Sequence, residues 1–200
     1  MISKSVTLIS AIAAMGFLAA ADSANATPLS IIDTSAPSDN CVFNVSCKVV
    51  VSDSVGTFTM AGNQGDGRLQ SRTYPGTAPA PAAGDMAYVY RVDLTSMQGL
   101  TAVNCVTKLA IDFGPVVELP YSGKPDHDVF VTTSGGLGSV GLSAADQIGT
   151  VITFVFSKPV CAGETSYFFG LASRATTPKA GAAELALTLG GTAKTDDRVP

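Results

Sequence analysis

Ile152-Thr153-Phe154-Val155-Phe156 and Tyr167-Phe168-Phe169-Gly170-Leu171 decide what kind of protein this is. Both runs are short, rich in aromatic and β-branched residues, and bounded by turn formers, which marks buried strands rather than helices. Lys158 to Glu164, carrying Pro159 and Gly163, reads as the connection between them, and the spacing predicts a hairpin with a long loop. The rings of both runs are expected to line a core.

The same rhythm extends in both directions. From Pro28 onward, apolar residues come in bursts separated by Gly, Pro, Asn, Asp and Ser, with no sustained 3.6-residue period. Candidate strands include Leu29 to Thr34, Cys47 to Ser52, Thr57 to Ala61, Arg68 to Tyr74, Met86 to Thr95, Cys105 to Phe113, Asp128 to Thr133 and Glu184 to Leu189. In Met86 to Leu94 the second half alternates, with Arg91 and Asp93 on one face, so one side of that strand is expected to be wet. Thr77 to Gly84 is proline-rich and cannot join a ladder, so it reads as an insertion between strands. Ser143 to Ile148 opens with a capping residue and reads as a single helical turn. About ten strands with turn signals predict an all-β fold, an antiparallel two-layer β-sandwich of jelly-roll or immunoglobulin-like plan.

The N-terminus reads as an export signal. Lys4, the apolar run Val6 to Ala20 and the small residues of Ala24-Asn25-Ala26 match a secretory signal peptide over residues 1–26, cleaved before Thr27. The expected domain organisation is then one sandwich domain over 27–191 and a polar C-terminal tail over 192–200. About 170 residues remain after cleavage, enough for one domain with a substantial core. No cysteine follows the apolar core of the signal and no second run reaches the roughly 18 residues of a membrane helix, so no stable membrane anchor is expected. Charged residues make up 14% of the chain and the formal net charge is −4 with no basic run, which argues against nucleic acid as a partner.

Four cysteines, Cys41, Cys47, Cys105 and Cys161, in an exported chain read as two disulfides. The favoured pairing is Cys41 with Cys47 and Cys105 with Cys161. The first requires a turn, because six extended residues span about 20 Å, and Asn44 can supply it. With one histidine and no paired CxxC, no metal site is expected.

The motifs that suggest chemistry are weak. Gly136-Leu137-Gly138-Ser139-Val140-Gly141 matches G-x-G-x-x-G, but the next strand begins near Thr150 and leaves no room for a crossover helix, so no cofactor is expected. Asp126-His127-Asp128 is the one place where imidazole neighbours carboxylates; neighbours in an extended chain face opposite ways, and a solvated turn after Lys124-Pro125 is the better reading. No G-x-S-x-G elbow marks a serine nucleophile. Gly62 to Gly67 lacks the regular acidic ligands of a calcium loop and reads as a turn. Asn44-Val45-Ser46 is a formal glycosylation acceptor.

The segment Val151 to Ser173, with Phe154-Val155-Phe156 and then Ala162-Gly163-Glu164-Thr165-Ser166-Tyr167-Phe168-Phe169-Gly170-Leu171-Ala172-Ser173, resembles the later strands of secreted bacterial β-sandwich proteins of the PEP-CTERM sorting type. The resemblance covers the later half of the chain and implies a cell-envelope or extracellular-matrix role. The sequence departs from that type after Gly191, where no Pro-Glu-Pro motif, terminal apolar helix or basic tail follows.

Two expectations about function follow, with a third held in reserve. The first is an exported, non-catalytic protein of the envelope or matrix that acts by surface contact with another component. The second is a module that binds carbohydrate or a small ligand, with Tyr74, Tyr88, Tyr90, Tyr121 and His127 as the contact residues. The third is a secreted hydrolase built on His127.

Overall fold

The computed structural model describes residues 25–100, 103–175 and 177–200. Residues 1–24, which hold the charged start and apolar core of the expected signal peptide, lie outside the described residues. Period-two alternation decides which side chains turn inward. In β11 (Val151–Val160), Ile152, Phe154, Phe156 and Val160 are buried while Val151 and Ser157 are exposed. In β12 (Phe169–Ser173), Phe169 and Leu171 join the same core.

These strands belong to two different six-stranded sheets, so the expected hairpin does not form. The first sheet runs β1 (Thr27–Pro28), β10 (Leu142–Ile148), β11, β8 (Val106–Asp112), β13 (Lys179–Leu187) and β14 (Thr192–Val199). The second runs β2 (Ile31–Ser35), β9 (Val129–Ser134), β12, β6 (Met86–Asp93), β5 (Gly67–Pro75) and β3 (Ser52–Phe58). A two-stranded ribbon of β4 (Asn63–Gln64) and β7 (Gln98–Gly99) completes the set and contains part of the Gly62 to Gly67 turn.

The fold is an all-β sandwich, and among the described residues the helical elements are two short 3₁₀ segments, Ser38–Val42 and Tyr121–Gly123. The Cys105–Cys161 disulfide keeps the chain in the first sheet to the end of β11. Beyond it, Glu164 and Ser166 exchange hydrogen bonds with Leu94 and Val92 of the second sheet. The two apolar runs thus face each other, Phe154 and Phe169 at 4.9 Å between ring centroids and Phe156 and Phe169 at 5.9 Å. Each fully buried ring contributes on the order of 2–3 kcal/mol by leaving water.

Three further expectations are corrected. Ser143 to Ile148 forms strand β10, because the two residues Gly149-Thr150 close a tight hairpin with Ile148 opposite Val151 and Gly149 at φ +60°. Residues 192–200 are not a tail: β14 pairs along β13 from Thr192↔Ala186 to Val199↔Lys179. Within the expected antiparallel sandwich one pairing is parallel, that of β2 with β9. The cause is a strand that changes sheets. Thr27 and Pro28 pair with β10, then Leu29 and Ser30 carry the chain across to β9, and the Ser30 backbone N–H and hydroxyl both donate to Asp128 Oδ2 at 2.8 Å. The strand expected over Cys47 to Ser52 does not form: 47–51 belong to a covering loop and Ser52 opens β3.

At the opposite side of the sandwich, β3 and β14 are the edges of their respective sheets and meet at a corner. Arg198 donates from Nη1 to the Ser52 carbonyl at 2.9 Å and from Nη2 to the Asp53 carbonyl at 2.9 Å, covering acceptors that an edge strand would otherwise expose. Gly56 permits the approach: a Cβ there would overlap the Asp196 carbonyl and the Thr195 hydroxyl.

Both disulfides have the expected pairing, Cys41–Cys47 and Cys105–Cys161. Loop-closure entropy assigns about 4 kcal/mol to the longer bridge and about 2 kcal/mol to the shorter. A Cys105→Ser/Cys161→Ser double variant should accordingly lose about twice the unfolding free energy lost by Cys41→Ser/Cys47→Ser in urea titrations; equal losses would show that loop length does not govern these bridges.

Candidate functional site

The outer face of the second sheet is largely covered. Its outward side chains include Tyr74 on β5, Ala87 and Val89 on β6, Phe130 on β9 and Ala172 on β12, and all are buried. Loops following β2, β5 and β8 cover them. Val42 and Phe43 supply the centre of this cover, with the Phe43 ring edge-on to Tyr74 at 5.2 Å and Tyr121 against Phe130 at 4.8 Å. The Cys41–Cys47 bridge closes the turn that presents Phe43, and that turn is tied to the proline-rich loop by hydrogen bonds from the Thr77 N–H to the Phe43 carbonyl and from the Ala82 N–H to the Val42 carbonyl. The Asn44 side chain is part of this tie, donating to the Thr77 hydroxyl and accepting from Ser46.

The cover stops at Val49 and Val51, leaving a groove of about 240 Å³ on the sheet face. Val51, Val89, Phe130 and Phe168 give it apolar walls, and Leu137, 62% exposed, stands at its rim. Polar groups enter from two directions. The Arg72 guanidinium lies 4.2 Å from the Phe168 ring centroid and Arg91 lies 5.0 Å from it, so one aromatic ring carries two cations. Arg72 is steered by Asp53, with Nε donating to Oδ1 at 2.8 Å, and Arg91 by Asp93 at 3.2 Å.

Asp39 enters from the covering loop. Its Oδ2 accepts from the Thr132 hydroxyl at 2.6 Å and its Oδ1 from the Asn40 N–H at 2.8 Å. Burial nevertheless outweighs those bonds and raises the Asp39 pKa above the ordinary carboxylate range. The arrangement is an apolar slot with the Arg72 guanidinium on one side and the hydrogen-bonded Asp39 carboxyl on the other, suited to holding an amphipathic group.

Of the residues expected to contact a ligand, Tyr74 lines the groove and the other four lie outside it. Tyr88 and Tyr90 point into the sandwich, where their hydroxyls donate to the Ala175 and Arg198 carbonyls. Tyr74 and Tyr121 lie under the covering loops. All four are buried, so they offer no stacking platform to a sugar. Their i, i+2 spacing already puts Tyr88 and Tyr90 on one face with Val92, the signal that they are core.

His127 is half-buried and bridged through its backbone to Leu119 instead of lying in the expected turn, with Nδ1 2.6 Å from the Pro125 carbonyl oxygen, and the neighbouring Asp128 carboxylate is occupied by Ser30. The Gly136 to Gly141 motif is a loop between β9 and β10, where Gly138 at φ +120° passes against the Ser166 carbonyl and no helix follows. Among the described residues, no three His, Cys, Asp or Glu side chains come together as a metal site. Phe168, Arg72 and Asp39, which do line the groove, were not singled out in the sequence; the adjacent rings of Phe168 and Phe169, necessarily on opposite faces, are the signal that one of them leaves the core.

Comparison with protein-family models, with curated proteins and with solved structures finds no match for this chain.

The Thr132 bond tests how the groove wall is held. Thr132→Val removes the donor to Asp39 and should cost roughly 1–3 kcal/mol at neutral pH. Because that bond favours the ionised form, the folded-state pKa of Asp39 rises further in the variant, and the stability gap to wild type should narrow as pH falls through the folded-state pKa of Asp39 in each form. Urea unfolding across an acid-to-neutral series checks both the size and the direction.

Proposed function

We propose that this chain is an exported, disulfide-stapled, non-catalytic β-sandwich that acts by surface contact with a component of the cell envelope or extracellular matrix. The supporting observation is the slot beside Phe168, where apolar walls, the Arg72 guanidinium and the exposed Leu137 form a contact surface next to a loop closed by its own disulfide. Two disulfides fit an oxidising compartment, extracellular or periplasmic, and no helix among the described residues is long and apolar enough to cross a membrane. The resemblance of Val151 to Ser173 to secreted proteins of the PEP-CTERM sorting type agrees with this placement.

A second reading, a small-ligand module, uses the same slot. It is favoured over a sugar-binding one because the tyrosines are buried and the slot is walled by aliphatic and phenylalanine side chains.

Expression of the whole chain in a bacterial host tests the reading. The mature protein should be recovered outside the cytoplasm with its thiols blocked to alkylation. It should also co-sediment with purified envelope or exopolysaccharide fractions, and Leu137→Asp, at the exposed rim, should weaken that association at least about tenfold while leaving the fold intact by circular dichroism. Recovery from the cytosol with reduced thiols, or turnover of ester, glycoside or peptide substrates that is lost in His127→Ala, would overturn it.

A further inference from the structure

The β3/β14 corner holds a group that the proposed contact function does not use. Ala193, Thr195, Asp197 and Val199 of β14 turn inward, and Asp197 is 4% exposed, its carboxylate approached by its own backbone N–H and by no donor of another residue. The buried hydroxyls of Thr195 and, on β5, Ser71 are also without partners. Such orphans are uncommon in folded proteins and call for a reason. Gly181, opposite Asp197 on β13, has no side chain to pair with it, and its bare Cα leaves the room that Oδ1 fills.

The charges around Asp197 do not neutralise it. On β14 itself, Asp196 adds like charge and the Arg198 guanidinium is turned onto β3. From β6 the Tyr90 phenol faces it, already donating to the Arg198 carbonyl. β3 and β5 approach with Gly56, Ser71 and Thr73, which are uncharged, and Lys179 of β13 lines the outer cleft without reaching the carboxylate. That cleft, about 670 Å³ and open to solvent, runs along the corner past Val50, Val55 and Met86.

We propose that Asp197 and Arg198 form a proton-operated latch on the β3/β14 corner. It is shut while the Asp197 carboxyl carries its proton and released when that proton is lost, uncovering the backbone edges of both strands. A protonated carboxyl tolerates the dry interior, whereas an ionised one without donors draws in water. The nearest water is in the cleft, which Asp197 lines with its carboxylate oxygens turned away from solvent, and hydrating them parts β14 from β3 at Gly56 and breaks the Arg198 bonds to Ser52 and Asp53. Burial and the neighbouring Asp196 raise the Asp197 pKa to about 6. The shut form holds the proton more tightly than the open one, so it is favoured below that value and loses ground as pH rises through it.

Hydrogen–deuterium exchange on the mature protein at about pH 5 and about pH 7.5, corrected for intrinsic rates, tests the latch. Protection of the amides of 52–58 and 192–199 should fall about tenfold between the two conditions, as the difference between a raised and an ordinary carboxylate pKa requires, while β6, β8, β11 and β12 stay protected. Asp197→Asn should abolish the difference, and Arg198→Gln should leave the corner open at both pH values. Equal protection in wild type, loss spread over the whole sandwich, or a difference that survives in Asp197→Asn would overturn the proposal. If Asp197→Asn does not fold, carboxyl ¹³C titration of wild type decides. The amide shifts of 52–58 must move with the Asp197 midpoint, and a separate midpoint refutes the latch.

Discussion

The contact of Phe154 and Phe156 with Phe169 across the interior is the constraint around which the rest is arranged. Burying those rings requires β11 and β12 to lie in different sheets, and that requires the chain to cross between layers within the few residues from Cys161 to Phe168. The crossing is held at its start by the bond to Cys105 and at its end by backbone pairing with Leu94 and Val92. Once the two strands are opposed, β6 and β8 are brought beside them, Tyr90 meets both Phe154 and Phe169, and the remaining strands extend each sheet outward.

Strand content, the sandwich class and the disulfide pairing were legible because each rests on local signals: period-two burial, turn residues and the reach of an extended chain. Pairing between elements was not. Nothing in Ile152 to Phe156 or Tyr167 to Leu171 says whether two apolar strands lie side by side or face to face; the disulfide and the loop's own hydrogen bonds settle it. β14 was hidden because its inward positions include Thr195 and Asp197, so the strand alternates in burial without alternating in hydropathy. β10 was hidden for a related reason, with small and polar residues around a single deeply buried Ala145.

The slot beside Phe168 was illegible for a different reason. It exists because long loops fold back over one sheet and leave part of it bare, and loop paths depend on tertiary closure more than on composition. The expectation that Met86 to Leu94 keeps one wet side fails for the same reason: Arg91 and Asp93 are half-buried, and in Ala87-Tyr88-Val89-Tyr90 both faces are buried. A strand of that kind needs a third layer. The segments around Phe43, Ala82 and Tyr121 are that layer, and Cys41–Cys47 gives the smallest of them the rigidity that its length alone would not.

The sheet orders also set a timetable for assembly. β2 finds its partner in β9, β6 in β12 and β8 in both β11 and β13, so the ladders that tie the local hairpins together join segments far apart in the chain. Such a topology gains little from local structure and folds slowly, on the order of milliseconds to seconds. The second sheet has all its strands once β12 is made, whereas the first waits for β13 and β14. One layer is therefore ready before the other, and part of its inner face stays open to water until the last two strands complete the sandwich.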